Sequence, residues 1–260
     1  VSGGALAWLA GAALLVAGAA GLQAAVCALP ALPAAALLGL LLKPAFAMRM
    51  LCDEVEAVEE ALGRGLDEGR ARLARLVSRD VSALDATAVR EAAIETLAEN
   101  LNDSVISPLL AFAVAGLPGA VLYRFANTAD AMWGYRGRWN WAGRWAARAD
   151  DVLSWPGARL AALLLRPSPR PSALAALARE ARRTPSPNGG WPMGAMALRL
   201  DVLLRKPGVY ALHSRGRPPE AADLRRALAL ARTAAGRGMT LLAGGLLGLA
   251  MLTGGAGGPV

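Results

Sequence analysis

The sequence predicts an all-α, multi-pass integral membrane protein with amphipathic cytoplasmic-side helices and broken or re-entrant apolar segments. Three observations carry that expectation. Residues 1–42 hold no charged side chain, a run too long for one bilayer crossing of about 20 residues and suited to two. The 55% hydrophobic share comes mostly from Ala and Leu, with aromatics at only 5%, which favours helix over sheet. No sustained apolar–polar alternation marks a strand.

Charge patterning sharpens the class. The formal charge is +8, but residues 43–103 hold 8 basic and 13 acidic side chains, while residues 166–238 hold 14 basic and 4 acidic ones. Arg-rich segments beside long apolar runs read as cytoplasmic loops, so nucleic acid is not an expected partner. Cys27 and Cys52 lack CxxC partners, and His213 is the single histidine. A disulfide framework and a zinc site are therefore not expected. The opening residues show no basic n-region of a signal peptide.

Taken in order, residues 1–43 read as a transmembrane hairpin of 4–21 and 24–42, divided near Gln23 and ending at Lys43. Gly3, Gly4, Gly11, Gly18 and Gly21 suggest close helix packing in lipid. Residues 44–238 read as a catalytic helical region. Within it Met48, Leu51, Val55, Val58 and Leu62 recur at three- and four-residue steps among acidic residues, until Gly63 and Gly65 break that helix. A second helix follows with Ala71, Leu73, Leu76 and Val77 on its apolar side. An acidic helix over 87–102 comes next, after a turn or cap at 82–85.

Two embedded apolar segments, 104–123 and 152–165, are too short or too interrupted to be plain spans. Pro108 and Pro118-Gly119 interrupt the first; broken helices are tolerated at membrane depth where they line a protein cavity. A single crossing there would put the five arginines of 124–151 outside, against the positive-inside tendency. A re-entrant segment avoids this, and it returns Asn127 and Asp130 to the side of Glu95 and Glu99. Helices are expected at 172–183, 193–204 and 221–237, and residues 239–260 form a C-terminal transmembrane segment.

The chemistry concentrates in 90–136. Glu91, Glu95, Glu99 and Asp103 recur every four residues and form one stripe on a helix, where like charges cost a few tenths of a kcal/mol per pair. No basic residue lies between Arg90 and Arg124. Asn127, Asp130, Tyr135 and Arg136 form a second polar cluster, with Asp150-Asp151 downstream. Neither standard phosphate loop and no Gly-x-Ser-x-Gly elbow occurs. Carboxylates suit magnesium, which usually binds together with a substrate phosphate. Arginines such as Arg124, Arg136, Arg144 and Arg148 suit phosphate oxygens.

Glu95-Thr-Leu-Ala-Glu-Asn100, then Asp103 and Pro108-Leu109, resembles the E-[ST]-x-A-E-N-x-x-D-x-x-x-x-P-L signature of adenosylcobinamide-phosphate synthases, the CobD/CbiB family. The likeness continues through Tyr123, Asn127-Thr128, Asp130, Gly134-Tyr135-Arg136, Arg148 with Asp150-Asp151, Ala158-Arg159-Leu160 and Ser186 to Pro192, and upstream to Arg79-Asp80. Ser104 stands where the family has Gly, and the family's D-P-x-x-x-P-H-P motif is not in the sequence.

The resemblance implies a multi-pass protein of the cell (inner or cytoplasmic) membrane with its site facing the cytoplasm. It implies an amide-forming ligase joining adenosylcobyric acid to (R)-1-amino-2-propanol phosphate, or a related amino alcohol, with ATP as cosubstrate and Mg2+. On the matched positions, Glu95, Glu99, Asp103 and Asp130 take the catalytic roles. Asn100, Asn127, Tyr135, Arg136, Arg148 and Asn188 bind substrates, and Glu99, Asp103, Asp150 and Asp151 hold the metal. A corrinoid, an amino-alcohol phosphate and membrane lipid are the implied partners, together with a second copy of the chain or other membrane proteins of cobalamin synthesis. The alternative is a non-enzymatic sensor on the same scaffold, of the AmpE kind.

Overall fold

A computed structural model describes residues 2–133, 140–166 and 170–254. Along the chain it forms α1 (Ser2–Cys27), α2 (Ala31–Leu42), α3 (Met48–Arg64), α4 (Leu66–Leu73), α5 (Ala86–Leu101), α6 (Ser107–Trp133), α7 (Asn140–Leu165), α8 (Pro171–Ala181), α9 (Gly190–Leu200), strands β1 (Leu204–Lys206) and β2 (Tyr210–Leu212), and α10 (Ala221–Gly254). Among the described residues, the helical stretches Gly3–Cys27, Ala31–Arg64 and Ala86–Trp133 are long and apolar enough to cross a membrane. The all-α membrane class holds. The chain divides into two compact units, Val1–Phe46 with Ile106–Leu153 and Gly236–Val260, and Ala47–Val105 with Ser154–Ala235.

The first unit is apolar. Trp8 and Ala12 of α1 pack with Ala126 and Ala129 of α6 and Ala146 of α7. The Trp8 ring lies 5.4 Å from Phe125 and 6.5 Å from Trp145, the latter edge-on. Aromatic pairs in that range add to simple area burial.

Gln23, expected to divide the hairpin, lies inside α1; the break falls at 28–30, where Pro30 starts α2. Its job is different. Gln23 Oε1 accepts the Leu117 N–H at 2.6 Å, so a polar side chain from the middle of the apolar N-terminal run caps a helix from another part of the chain. Gly11 lies under Phe125, but nothing is within 4 Å of where a side chain would start at Gly18 or Gly21. Those two glycines do not mark a packed interface.

α6 is broken as expected, though not at a proline. Ala115 and Gly116 leave helical geometry, Gly116 at φ +64°, and Pro118 follows just after the break. In a continuous helix residues 111 and 119 would stand about 12 Å apart. Here a side chain at Gly119 would overlap the Ala111 carbonyl oxygen, so the two arms fold back on one another. The first arm, 107–114, rises only about 12 Å, well short of a hydrocarbon core about 30 Å thick. The segment is a broken helix, and the stretch Ala86–Trp133 that contains it is long and apolar enough to cross a membrane.

The second unit is polar and surrounds α5. Asp85 caps α5 by accepting the Ala88 N–H at 2.7 Å. α3 meets it through Glu59, whose carboxylate takes two 2.7 Å bonds from Arg90. Four sequence expectations need correction. α4 ends at Leu73, so Leu76 and Val77 lie beyond it. Residues 193–204 hold α9 only from Gly190 to Leu200, and a β-hairpin follows, pairing Leu204 with Leu212 and Lys206 with Tyr210. Strands of three residues are too short to show alternation. Residues 152–165 are not a separate segment but the end of α7. Residues 221–237 and 239–253 form one continuous α10.

Asp223 anchors the start of α10. Its buried carboxylate takes paired 2.7 Å bonds from Arg217, a 3.2 Å bond from Arg226 and the Glu220 N–H at 2.9 Å. Burial would raise its pKa, but the Arg217 bonds, the Glu220 N–H and Arg226 hold it below the ordinary value. A carboxyl depressed in the folded state stabilises above its unfolded value of about 3.8, and that contribution is lost as pH falls through the folded one. Because the arginines reach solvent, Asp223→Ala should cost about 1–3 kcal/mol. Melting curves at pH 7 check it: the gap to wild type should narrow on acidification.

Candidate functional site

Glu91 and Glu95 of the α5 stripe turn inward while Glu99 stays exposed, and each of the three has a cation from a distant segment as its neighbour. Glu91 is fully buried and accepts the backbone N–H of Arg205 at 3.1 Å and its Nε at 3.1 Å. Glu95 accepts Arg79 Nη2 at 3.0 Å, with the carboxylate side chain 6% exposed and the guanidinium 19%. Glu99 has Lys206 of β1 as its charged neighbour. Local sequence supplies none of these partners, because Arg79 follows α4 and the other two sit on the hairpin.

Glu95, Glu99 and Asn100 line a cavity of about 180 Å³ together with Arg79, Lys206 and Tyr210. Two atoms of its central ion pair are buried without a hydrogen-bond partner, Glu95 Oε1 and Arg79 Nε. Buried polar atoms are nearly always matched in folded proteins; Arg72 Nε and Arg159 Nε are unmatched as well, and it is the cavity beside it that makes the Glu95–Arg79 pair the candidate ligand contact. The Tyr210 hydroxyl bonds Met193 Sδ at 3.8 Å. Burial first, then the charge of Glu95, pushes the Tyr210 pKa up and keeps the phenol protonated.

The loop before α9 closes one side of the Glu99 carboxylate, which lies 3.0 Å from where a side chain at Gly189 would begin. That loop is braced by Arg159 of α7. Its Nη1 donates to Asn188 Oδ1 at 2.5 Å, its Nη2 to the Pro187 carbonyl at 3.0 Å, and its guanidinium stands over Trp155 and Trp191 at 4.5 and 4.9 Å. Ser186 Oγ accepts the Asn188 and Gly189 N–H groups. A side chain at Gly190 would strike the Ala181 carbonyl, so the Asn-Gly-Gly run is there for close approach.

The structure therefore divides the residues expected from sequence. Glu95, Glu99 and Asn100 share the pocket. Asp103 does not line it: α5 passes into a π-helical turn at Asn102–Ile106, which breaks the four-residue stripe, and Asp103 Oδ1 takes the Asn102 amide at 2.7 Å. Asn188 serves the loop. In the first unit, Asn127 accepts Arg124 at 3.5 Å, Asp130 has Asp151 as its charged neighbour, and Asp150 lies on α7 beside an exposed Arg148. Tyr135 and Arg136 lie outside the described residues. Arg79, Lys206, Tyr210 and Arg159 were not among the expected site residues; Arg79-Asp80 and Ala158-Arg159-Leu160, both within the resemblance, were the visible hints of two of them.

Of the four residues expected to hold a metal, Glu99 and Asp103 belong to the second unit and Asp150 and Asp151 to the first. Among the described residues, no group of three or more His, Cys, Asp or Glu side chains is arranged to hold an ion. In the pocket, the two carboxylates already face two cations. A resident divalent ion does not fit that balance.

Residues 1–231 match the CobD/Cbib protein family. The chain is 45% identical over 181 residues to "Probable cobalamin biosynthesis protein CobD" of Methanothermobacter thermautotrophicus, covering 66% of this chain and 61% of that one. It is 43% identical over 218 residues to "Cobalamin biosynthesis protein CobD" of Rhodobacter capsulatus, covering 79% and 69%. The chain thus spans about six tenths of the length of the first of these relatives. No solved structure matches it.

Proposed function

The chain belongs to the CobD/Cbib protein family of cobalamin biosynthesis, and on that premise we propose that it is an adenosylcobinamide-phosphate synthase, an amide-forming ligase. Its substrates are adenosylcobyric acid, (R)-1-amino-2-propanol phosphate or a related amino alcohol, and ATP. The observation that supports this reading best is the pocket on α5, where Glu95 Oε1 and Arg79 Nε are buried and unmatched beside Glu99, Lys206 and Tyr210. Magnesium enters with ATP, since it favours waters and substrate phosphates over all-protein cages.

Amide formation has two parts. Phosphoryl transfer from ATP to the corrinoid carboxylate releases ADP and leaves an acyl phosphate. The amine lone pair then attacks the acyl carbon, inorganic phosphate leaves, and the amine's proton passes to a base. Glu99 is exposed and lines the pocket, and in this reading it takes that proton. Glu95, tied to Arg79, holds charge and orientation. The apolar first unit seats the enzyme in the cell membrane, with the site facing the cytoplasm and lipid around α1, α2 and α6.

Incubating the full-length protein in detergent with adenosylcobyric acid, aminopropanol phosphate and MgATP should yield adenosylcobinamide phosphate by mass spectrometry, with stoichiometric ADP. An unchanged corrinoid mass would sink the ligase reading.

A further inference from the structure

We infer that a cavity in the apolar first unit is a specific site for one phospholipid of net negative charge, with an acyl chain lying among α1, α2 and α6 and the phosphate on Arg124 and Lys43. The site is separate from the α5 pocket and independent of the ligase reading.

Most of the cavity wall is hydrocarbon. Leu15 of α1, Leu42 of α2, Pro44 just after it, and Leu117, Val121 and Phe125 of α6 enclose about 320 Å³, within the roughly 300–1,000 Å³ of pockets that bind small ligands. All of them belong to the first unit. The mouth is open, because Leu15 is 44% exposed and its neighbour Leu14 is 75% exposed. α1 is long and apolar enough to cross a membrane, so what meets this mouth is lipid rather than water.

Charge decides which lipid. Residues 1–42 carry no charge and Lys43 ends that run; residues 104–123 carry none and Arg124 ends that one. The fold brings the ends of both runs to one cavity. Arg124 lines it, and the exposed Lys43 stands between Leu42 and Pro44, which both line it. Among the described residues of the lining, none is acidic. Arg124 is half-buried and donates to Asn127 Oδ1 at 3.5 Å, a long bond to a neutral partner. Among the described residues, neither Arg124 nor Lys43 forms an ion pair. A guanidinium has five N–H donors, and a phosphodiester is the anion its fork fits best in a membrane. Thr128 lies one turn beyond Arg124 on the same face and adds a hydroxyl at the rim. Basic pockets between membrane helices bind anionic headgroups in this way. A zwitterionic lipid would bring its own cation to a rim that already holds two, and a hydrocarbon tail alone would leave Arg124 without a counter-charge.

Native mass spectrometry and melting of the full chain test this, after lipid is stripped in a neutral detergent. The probe is dioleoylphosphatidylglycerol, with dioleoylphosphatidylcholine in parallel. One phosphatidylglycerol per chain should bind at least about tenfold tighter than phosphatidylcholine and raise the melting temperature more, since each nearby cation favours anionic lipid by about fivefold. Arg124→Gln and Lys43→Gln should each weaken phosphatidylglycerol by about fivefold and leave phosphatidylcholine unchanged. Leu15→Trp should weaken both lipids by obstructing the mouth. Arg182→Gln removes the same charge from an exposed position in the second unit and should bind like wild type. Lys43 and Leu15 are exposed, so their variants should melt like wild type without lipid, and lost binding is then not lost folding. Equal affinity for the two lipids, or Arg124→Gln and Lys43→Gln both behaving like Arg182→Gln, would overturn the site and leave only unselective lipid around the helices. A chain dimer forming in place of lipid binding would overturn it too, by making the cavity an interface between copies.

Discussion

Glu99→Gln is expected to lower kcat/KM for amide formation by about 10²–10⁴-fold, the usual worth of a positioned base, with folding stability changed by less than about 0.5 kcal/mol. Glu99 is exposed to the pocket, and the substitution keeps its shape while removing its charge. Glu95→Gln should behave differently. It strips the counter-charge from a guanidinium only 19% exposed, and breaking a buried pair from one side costs about 3 kcal/mol or more. Activity and melting temperature would then fall together. The Glu95→Met, Arg79→Met double variant separates the two effects, because replacing both partners with apolar groups of similar volume is close to neutral. That variant should regain stability and stay inactive. Wild-type turnover in Glu99→Gln would reduce the last carboxylate of the stripe to a solvated charge.

The stripe itself was legible in sequence, because a four-residue repeat on a helix is a local property. What the stripe faces was not. Arg79, Arg205 and Lys206 meet α5 only through the fold, and nothing within the window 91–103 signals a partner 16 or 114 residues away. The same limit hid the π-helical turn that takes Asp103 off the stripe, since a register change of one residue leaves the repeat intact on paper. It also disguised Gln23. Within the apolar run it looked like a boundary between spans, whereas its partner, the Leu117 N–H, is supplied by the second arm of α6. The break in the apolar segment could be anticipated because prolines interrupt it. Its corner could not, because the corner is made by Ala115 and Gly116, which carry no strong local signal next to Pro118.

That corner makes the second large prediction. Gly119→Ala should destabilise the first unit by about 1–3 kcal/mol, and Gly119→Val by more, because a Cβ there overlaps the Ala111 carbonyl oxygen. A carbonyl is backbone and cannot rotate aside, so relief requires the two arms of α6 to part. Gly116→Ala should cost about 1–2 kcal/mol from its φ of +64° alone. It should cost more through Gln23, whose side chain occupies the space a methyl would need and holds the Leu117 N–H. Gly18→Ala and Gly21→Ala are the matched controls: nothing lies within 4 Å of either position, and alanine favours a helix interior. Melting in detergent should therefore rank Gly21→Ala and Gly18→Ala at or above wild type, with Gly116→Ala and Gly119→Ala well below. If Gly119→Ala melts with the controls, the arms do not fold back on one another, and α6 is a kinked single span. Gln23→Ala adds an independent check, since it removes the cap without touching the corner's backbone. It should lose about 1 kcal/mol, and in combination with Gly116→Ala the losses should add only in part, because the clash and the lost hydrogen bond share Gln23 while the φ strain at Gly116 remains.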